Sequence, residues 1–187
     1  QIKAGRNIKQ AGIELSEYFI PGLGGKKFTI QNALESAKVI NAVNPDFIRL
    51  RTLHVVPGTA LEDLVKRGKF QPLSDDDIIR EIGVFIENLE VHGTQLVSDH
   101  ILNLLEELEG RFPEDKQNFL AVIMRYLEMN DEERLIYRFG RRSGAFRKLD
   151  DLGDKETYLR LKSVVESYAD EGRNLEDDMV NIMNNYI

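Results

Sequence analysis

Residues Ile13 to Gly25 read IELSEYFIPGLGG, an apolar strand that runs into a glycine-rich turn just ahead of a helical pattern. Strand, tight turn and helix in that order form the crossover unit of a parallel sheet, in which ligands gather at the carboxyl ends of the strands. The unit then repeats. From Phe47 the chain reads FIRLRTLHVV, followed by Pro57-Gly58-Thr59 and a further apolar-periodic segment. Two consecutive strands thus end in Pro-Gly turns on one face, and function is expected there.

The elements around this pair follow from local chemistry. Ile2 and Ile8 lie on one side of a helical opening that Gly12 stops. Thr29 is the expected N-cap of a crossover helix carrying Ile30, Leu34, Ala37 and Ile40, which ends before Asn44-Pro45. Phe47 to Val56 is expected to be a strand, with Arg49 and Arg51 alternating onto one face. Inward arginines in a sheet or barrel imply anionic or polar company; outward ones imply solvent, and both remain open. Pro57 to Lys69 predicts a short helix stopped by Gly68, and Gln71-Pro72 is the linker candidate. Ser74 and Asp77 approximate a capping box before the stripe Ile78, Ile79, Ile82, Phe85, Ile86 and Leu89. Thr94 to Asp99 fits a short third strand.

Beyond it the pattern is helical: Leu102, Leu105 and Leu108; a helix opened by Pro113; another opened by Asp131; and two more capped by Asp154 and Asn174. No fixed-period repeat supports a solenoid. The expected fold is therefore an α/β segment, residues 1–72, followed by a mainly α-helical region, 73–187, with helix dominating overall.

Charge divides in the same way. Residues 1–72 hold 11 Lys and Arg against 6 Asp and Glu, whereas 73–187 hold 14 against 26. Two differently employed regions follow. The chain has no cysteine, which excludes disulfides, thiolate metal sites and cysteine nucleophiles in this segment. No apolar run reaches the roughly 20 residues that span a bilayer, and the opening lacks a signal-peptide core, so a cytoplasmic chain with no membrane partner is expected.

The residues that could carry chemistry are few. Gly22, Gly24 and Gly25 would let a ligand approach the backbone closely, or merely reverse the chain; their spacing is neither a dinucleotide fingerprint nor a Walker loop. His54, His92 and His100 are too scattered for a local metal motif, although His54 falls near a strand end. Asp99-His100 is either a helix cap with a neighbour, the favoured reading, or part of a substrate site. The stretch Arg134 to Lys148 mixes Arg138, Arg141, Arg142 and Arg147 with Tyr137, Phe139 and Phe146, as a single-stranded nucleic-acid groove would. In so acidic a region, pairing with acidic neighbours is the competing account, and the favoured one. No serine-histidine-aspartate elbow and no HExxH is present.

ELSEYFIPGLGG, the crossover helix and NPDFIRLRTLHVVPGTALEDLVKRGKF together resemble the fifth and sixth strands of radical S-adenosylmethionine (radical SAM) enzymes. The likeness is to the coproporphyrinogen oxidase-like iron-sulfur oxidoreductases. It implies the last two parallel β/α units of a partial TIM-type barrel, cut from a longer protein. In that family the fifth strand ends in Gly-x-Ile-x-Gly-x-x-Glu against the adenine. Ile20 and Gly22 match its centre, Gly24 lies in the same turn, Tyr18 replaces the first Gly and Gly25 replaces the Glu. The sixth strand's backbone contacts to adenine map to Leu53, His54 and Val55.

The resemblance implies S-adenosylmethionine and a 4Fe-4S cluster in the full-length parent. The family's CxxxCxxC loop lies earlier in the barrel, so this segment alone is expected to bind neither cofactor and to be inactive. Its implied partner is the amino-terminal barrel half of the same protein. Without it, β-edge pairing into a homodimer is expected. The alternative is a non-enzymatic helical interaction or RNA-binding module. A free-standing phosphate- or nucleotide-binding α/β enzyme requires more strands than the sequence offers.

Overall fold

The computed structural model describes residues 1–186, and the chain divides into two compact units, 1–103 with 107–127, and 104–106 with 128–187. Among the described residues no helix is long and apolar enough to cross a membrane.

The first unit is built on a four-stranded sheet in the order β1-β2-β3-β4. It runs α1 (Ile2–Gln10), β1 (Ser16–Phe19), α2 (Gly25–Val43), β2 (Phe47–Leu50), α3 (Ala60–Lys66), α4 (Asp75–Glu87), β3 (Gln95–Val97), β4 (Gly110–Arg111) and α5 (Lys116–Glu128). β1, β2 and β3 are parallel, and β4 is antiparallel to β3. Three parallel strands stand where the sequence promised two with a possible third, because Gln95–Val97 joins the sheet beside β2.

Register explains the core. Phe19 pairs with Leu50, and Ile48 lies between Glu17 and Leu96, so alternation gathers Phe19, Ile48, Leu50 and Leu96 on one buried face. α4 covers it: the Phe85 ring stacks on Phe19 with centroids 3.9 Å apart. Ser74 caps α4 by accepting from the Asp77 amide, and Ile78, Ile79, Ile82, Phe85 and Ile86 are all buried, as their spacing required. α4, which follows Gln71-Pro72, packs on α2 within this first unit. The opposite sheet face carries Tyr18, Arg49 and Val97 in register.

Several expectations need correction. α2 begins at Gly25, four residues before Thr29. Its first turn is kinked at Phe28 (φ −125°, ψ 21°), and the Thr29 hydroxyl is committed elsewhere. The strand expected to reach Val56 is regular only to Leu50, although the Arg51 and Leu53 amides still donate to the Phe19 and Pro21 carbonyls. Residues 101–109 are turns rather than helix. The reason is local: the Asn103 side chain bonds the Leu50 carbonyl and the Thr52 amide, fixing the chain in a turn that a helix could not reproduce. The helix expected to open at Pro113 starts at Lys116.

Asp46 ties the amino-terminal helix to the sheet. Its carboxylate accepts from Lys9 Nζ at 2.5 Å and from the Leu15 amide at 2.8 Å. The Lys9 hydrogen bond, followed by the Leu15 amide, holds its pKa below the ordinary aspartate value. A carboxylate depressed on folding contributes stability above its unfolded pKa and loses it as pH falls through the folded one. Asp46→Asn is therefore expected to cost about 1 kcal/mol at neutral pH, a modest figure because the pair is partly solvent-screened. The deficit should vanish in acid, which urea unfolding repeated down the pH scale would reveal.

The second unit holds α6 (Asp131–Arg142), a 3-10 turn (Leu149–Gly153), α7 (Lys155–Asp170) and α8 (Leu175–Asn184). Asn130 and Glu133 form a reciprocal capping box at the start of α6; Asp154 caps α7 and Asn174 caps α8. Its core includes the stacked, fully buried Tyr137 and Phe146.

Candidate functional site at the strand ends

The carboxyl ends of β1, β2 and β3 lie side by side and carry most of the residues singled out from the sequence. The Leu53 amide donates to the Pro21 carbonyl at 3.0 Å, drawing the Ile20-to-Gly24 turn against residues 53–55. Gly22 is the closest point. At φ +89° it occupies a region L side chains rarely adopt, and a Cβ there would sit 2.8 Å from Ile78 Cδ1 and 3.4 Å from Leu53 Cβ. Gly24 caps α2, where a Cβ would lie 2.6 Å from the Phe28 carbonyl oxygen. The Val55 amide and carbonyl have no protein hydrogen-bond partner among the described residues.

The turn is held from beneath by Glu81, which the sequence reading passed over. Its buried carboxylate accepts from the Gly22 amide (3.1 Å), the Thr29 hydroxyl (2.5 Å) and Asn32 Nδ2 (2.6 Å). Asn32 also donates to the Ile20 carbonyl at 3.1 Å. A signal existed: Glu81 sits between Ile78 and Ile82 on the apolar stripe, where a carboxylate has to find buried donors.

Asn103 does the equivalent work for β2. Its Oδ1 accepts from the Thr52 hydroxyl at 2.9 Å, and its Nδ2 donates to Leu50 O and Ser98 Oγ. Beyond β3, Asp99 bridges Arg49 and Arg51, and the Arg51 guanidinium lies 5.3 Å from the centre of the Tyr18 ring. The Arg51 hydrogen bond is the main cause of a lowered Asp99 pKa. Burial, then the Arg51 charge, push His100 below the ordinary histidine value, and its Nδ1 is buried without a hydrogen-bond partner. The arginines thus lie on the sheet face away from the core, partly exposed, and share one carboxylate.

Other candidates are placed elsewhere or committed to neighbours. The Arg-rich stretch lies in the second unit, where Arg138 pairs with Glu176, Arg141 donates to Leu104 O, and Arg147 pairs with Glu106. Arg142 is buried. The Asn44 side chain bonds the His92 backbone at the amino-terminal side of β3, away from the strand ends. Among the described residues no three His, Asp or Glu side chains gather as a metal site. Without cysteine the chain has no thiolates for an iron-sulfur cluster, whereas the unpaired Val55 amide and carbonyl offer one donor and one acceptor at the strand ends.

Residues 45–97, spanning β2 through β3, match the family described as Radical_SAM C-terminal domain. An uncharacterized protein of Methanocaldococcus jannaschii is 28% identical over 88 residues, 47% of this chain and 27% of that protein. The tRNA uridine(34) acetyltransferase of Methanocaldococcus infernus is 28% identical over 82 residues, 43% of this chain and 15% of that protein. Its Methanocaldococcus jannaschii counterpart is 27% identical over 82 residues, with the same coverage. The chain thus spans 15% to 27% of the length of these relatives. No solved structure matches it. The family match is confined to residues 45–97, from β2 through β3, and supports a radical SAM relationship for that segment.

Proposed function

We propose that this chain is the carboxy-terminal portion of a radical SAM enzyme and that its strand ends form part of the wall against which the adenine of S-adenosylmethionine lies. The observation that carries this reading is the unpaired Val55 backbone beyond the end of β2, beside Leu53 and His54, with the Leu53 amide drawing the Ile20, Gly22 and Gly24 turn against it. Glycine at position 22 lets the turn close tightly on Ile78 and Leu53, and the Val55 amide and carbonyl are free to read the edge of a flat ring. With a 4Fe-4S cluster held elsewhere in the parent, the cofactor supplies reductive cleavage of S-adenosylmethionine and hydrogen abstraction. This chain's residues bind and orient.

β1 lies at the edge of the sheet, and Tyr18, Leu23, Phe28 and Ile30 near it are exposed. A groove of about 290 Å³ runs between the end of β1 and α2, lined by Tyr18, Ile20, Leu23 and Val39 among others. Earlier barrel strands of the same protein are the partner this edge fits, with a second copy of the chain as substitute. Among finer placements, the turn pattern points to the coproporphyrinogen oxidase-like group, whereas the named relatives are tRNA uridine(34) acetyltransferases.

The test uses the full-length protein, reconstituted anaerobically and reduced. Iron-sulfur absorbance and formation of 5′-deoxyadenosine are expected. Val55→Pro removes the unpaired amide and should lower 5′-deoxyadenosine formation more than about tenfold, equivalent to ~1.4 kcal/mol of cofactor binding, while leaving cluster absorbance intact. A parent that takes up no cluster, or a Val55→Pro enzyme of unchanged rate, overturns the proposal.

A further inference from the structure

Arg49 and Arg51 stand two residues apart, so strand alternation sends both to the sheet face opposite the Phe19, Ile48 and Leu50 core. That face is open at its β1 edge, where Tyr18, in register with Arg49, is 57% exposed; Arg49 and Arg51 are partly exposed and Val97 beside them is buried. Asp99 divides its carboxylate between the two, Oδ2 to Arg49 Nη1 at 2.5 Å and Oδ1 to Arg51 Nη1 at 2.7 Å. A single arginine fork can satisfy both oxygens of one carboxylate. Here two forks share one, and each spends only Nη1 on it. The Nε and Nη2 donors of both have no protein acceptor among the described residues. Two cations and one anion leave a local charge of +1, at strand ends where parallel sheets bind ligands.

We propose that the Arg49–Asp99–Arg51 bracket is an oxyanion-binding site, and hence that the molecule processed at this end of the sheet carries a carboxylate or phosphate. The first half stands on this geometry alone; the second rests on the radical SAM reading above. The unspent guanidinium donors would hold the ligand's oxygens, and Tyr18, already stacked near Arg51, would flank it. Asp99 acts as a placeholder that keeps the two forks side by side without neutralising them.

The competing account is a brace tying the ends of β2 and β3, indifferent to any ligand. The two separate in a nitrogen-15 NMR titration of the arginine Nε–Hε signals of this chain, with inorganic phosphate, acetate or chloride at matched ionic strength. Arg49 and Arg51 should shift saturably with phosphate or acetate at about 1–10 mM and not with chloride, while Arg147, engaged by Glu106, stays put. Phosphate binding the tighter indicates a phosphorylated substrate; acetate binding as well or better indicates a carboxylate.

Asp99→Asn removes the competing anion and should tighten phosphate binding about fivefold. A brace predicts no such gain. Shifts that are linear and shared by Arg147, or an Asp99→Asn chain that binds no better, overturn the site. Failure of this titration leaves the adenine wall standing, and failure of the reconstitution leaves the anion site standing.

Discussion

Glu81→Leu is expected to destabilise the first unit by about 3 kcal/mol, and Glu81→Gln by only about 1 kcal/mol. Leucine fits the apolar stripe of α4 but leaves the buried Gly22 amide without an acceptor, and frees Thr29 and Asn32 to turn toward water. Glutamine keeps Oε1 as acceptor for Gly22 and Asn32. Its amide nitrogen would meet the Thr29 oxygen, which accepts once the hydroxyl rotates. The ranking therefore asks whether the site needs a charge or an acceptor. Urea unfolding gives the free energies, and hydrogen exchange at residues 20–25 shows whether the loss is local to the turn. Equal losses for the two variants would mean that the negative charge itself is required; a neutral Glu81→Leu would mean that the turn holds without the clamp.

The contrast between Glu81 and Gly22 shows what the sequence could and could not disclose. Gly22 was legible because a strand running into Pro-Gly announces a tight turn, and the turn's position on a parallel sheet follows from the next strand. The elements with strong periodicity or caps, α4 with Ser74 and α7 with Asp154, lie where their side chains demanded. Glu81 reads as one more charge on an amphipathic helix until Gly22 and Asn32 are known to face it, across 59 and 49 residues of chain. Asn103 was hidden for a different reason. Three leucines at helical spacing predicted a helix, but a side chain bonded to the β2 backbone overrides so weak a preference. Arg49 and Arg51 were visible as a pair on one face, while their shared carboxylate lies 48 residues beyond Arg51. What the sequence withheld is the long-range polar pairing on which the site is built.

Gly140→Ala is expected to cost the second unit about 3 kcal/mol, against the direction that helix propensity alone gives. Gly140 lies within α6 with no left-handed backbone, so alanine would ordinarily stabilise by about 1 kcal/mol. Its Cβ, however, would fall 2.2 Å from Phe146 Cδ2 and 2.8 Å from Cε2. The ring has no simple retreat. Phe146 is buried and stacked at 17° to Tyr137, and its own amide donates to the Gly140 carbonyl at 3.0 Å. The Tyr137 hydroxyl is in turn anchored to the Leu104 carbonyl at 3.2 Å. Hydrogen exchange should show lost protection in α6 and α7, while β1 and β2 of the first unit keep theirs. Gly144→Ala, at φ +77° with nothing near its Cβ, isolates the backbone effect and should cost only about 1 kcal/mol. Shortening the ring partner closes the argument. In a Phe146→Leu background Gly140→Ala should lose most of its penalty, a coupling of about 1–2 kcal/mol, and strict additivity would place the clash somewhere other than this ring.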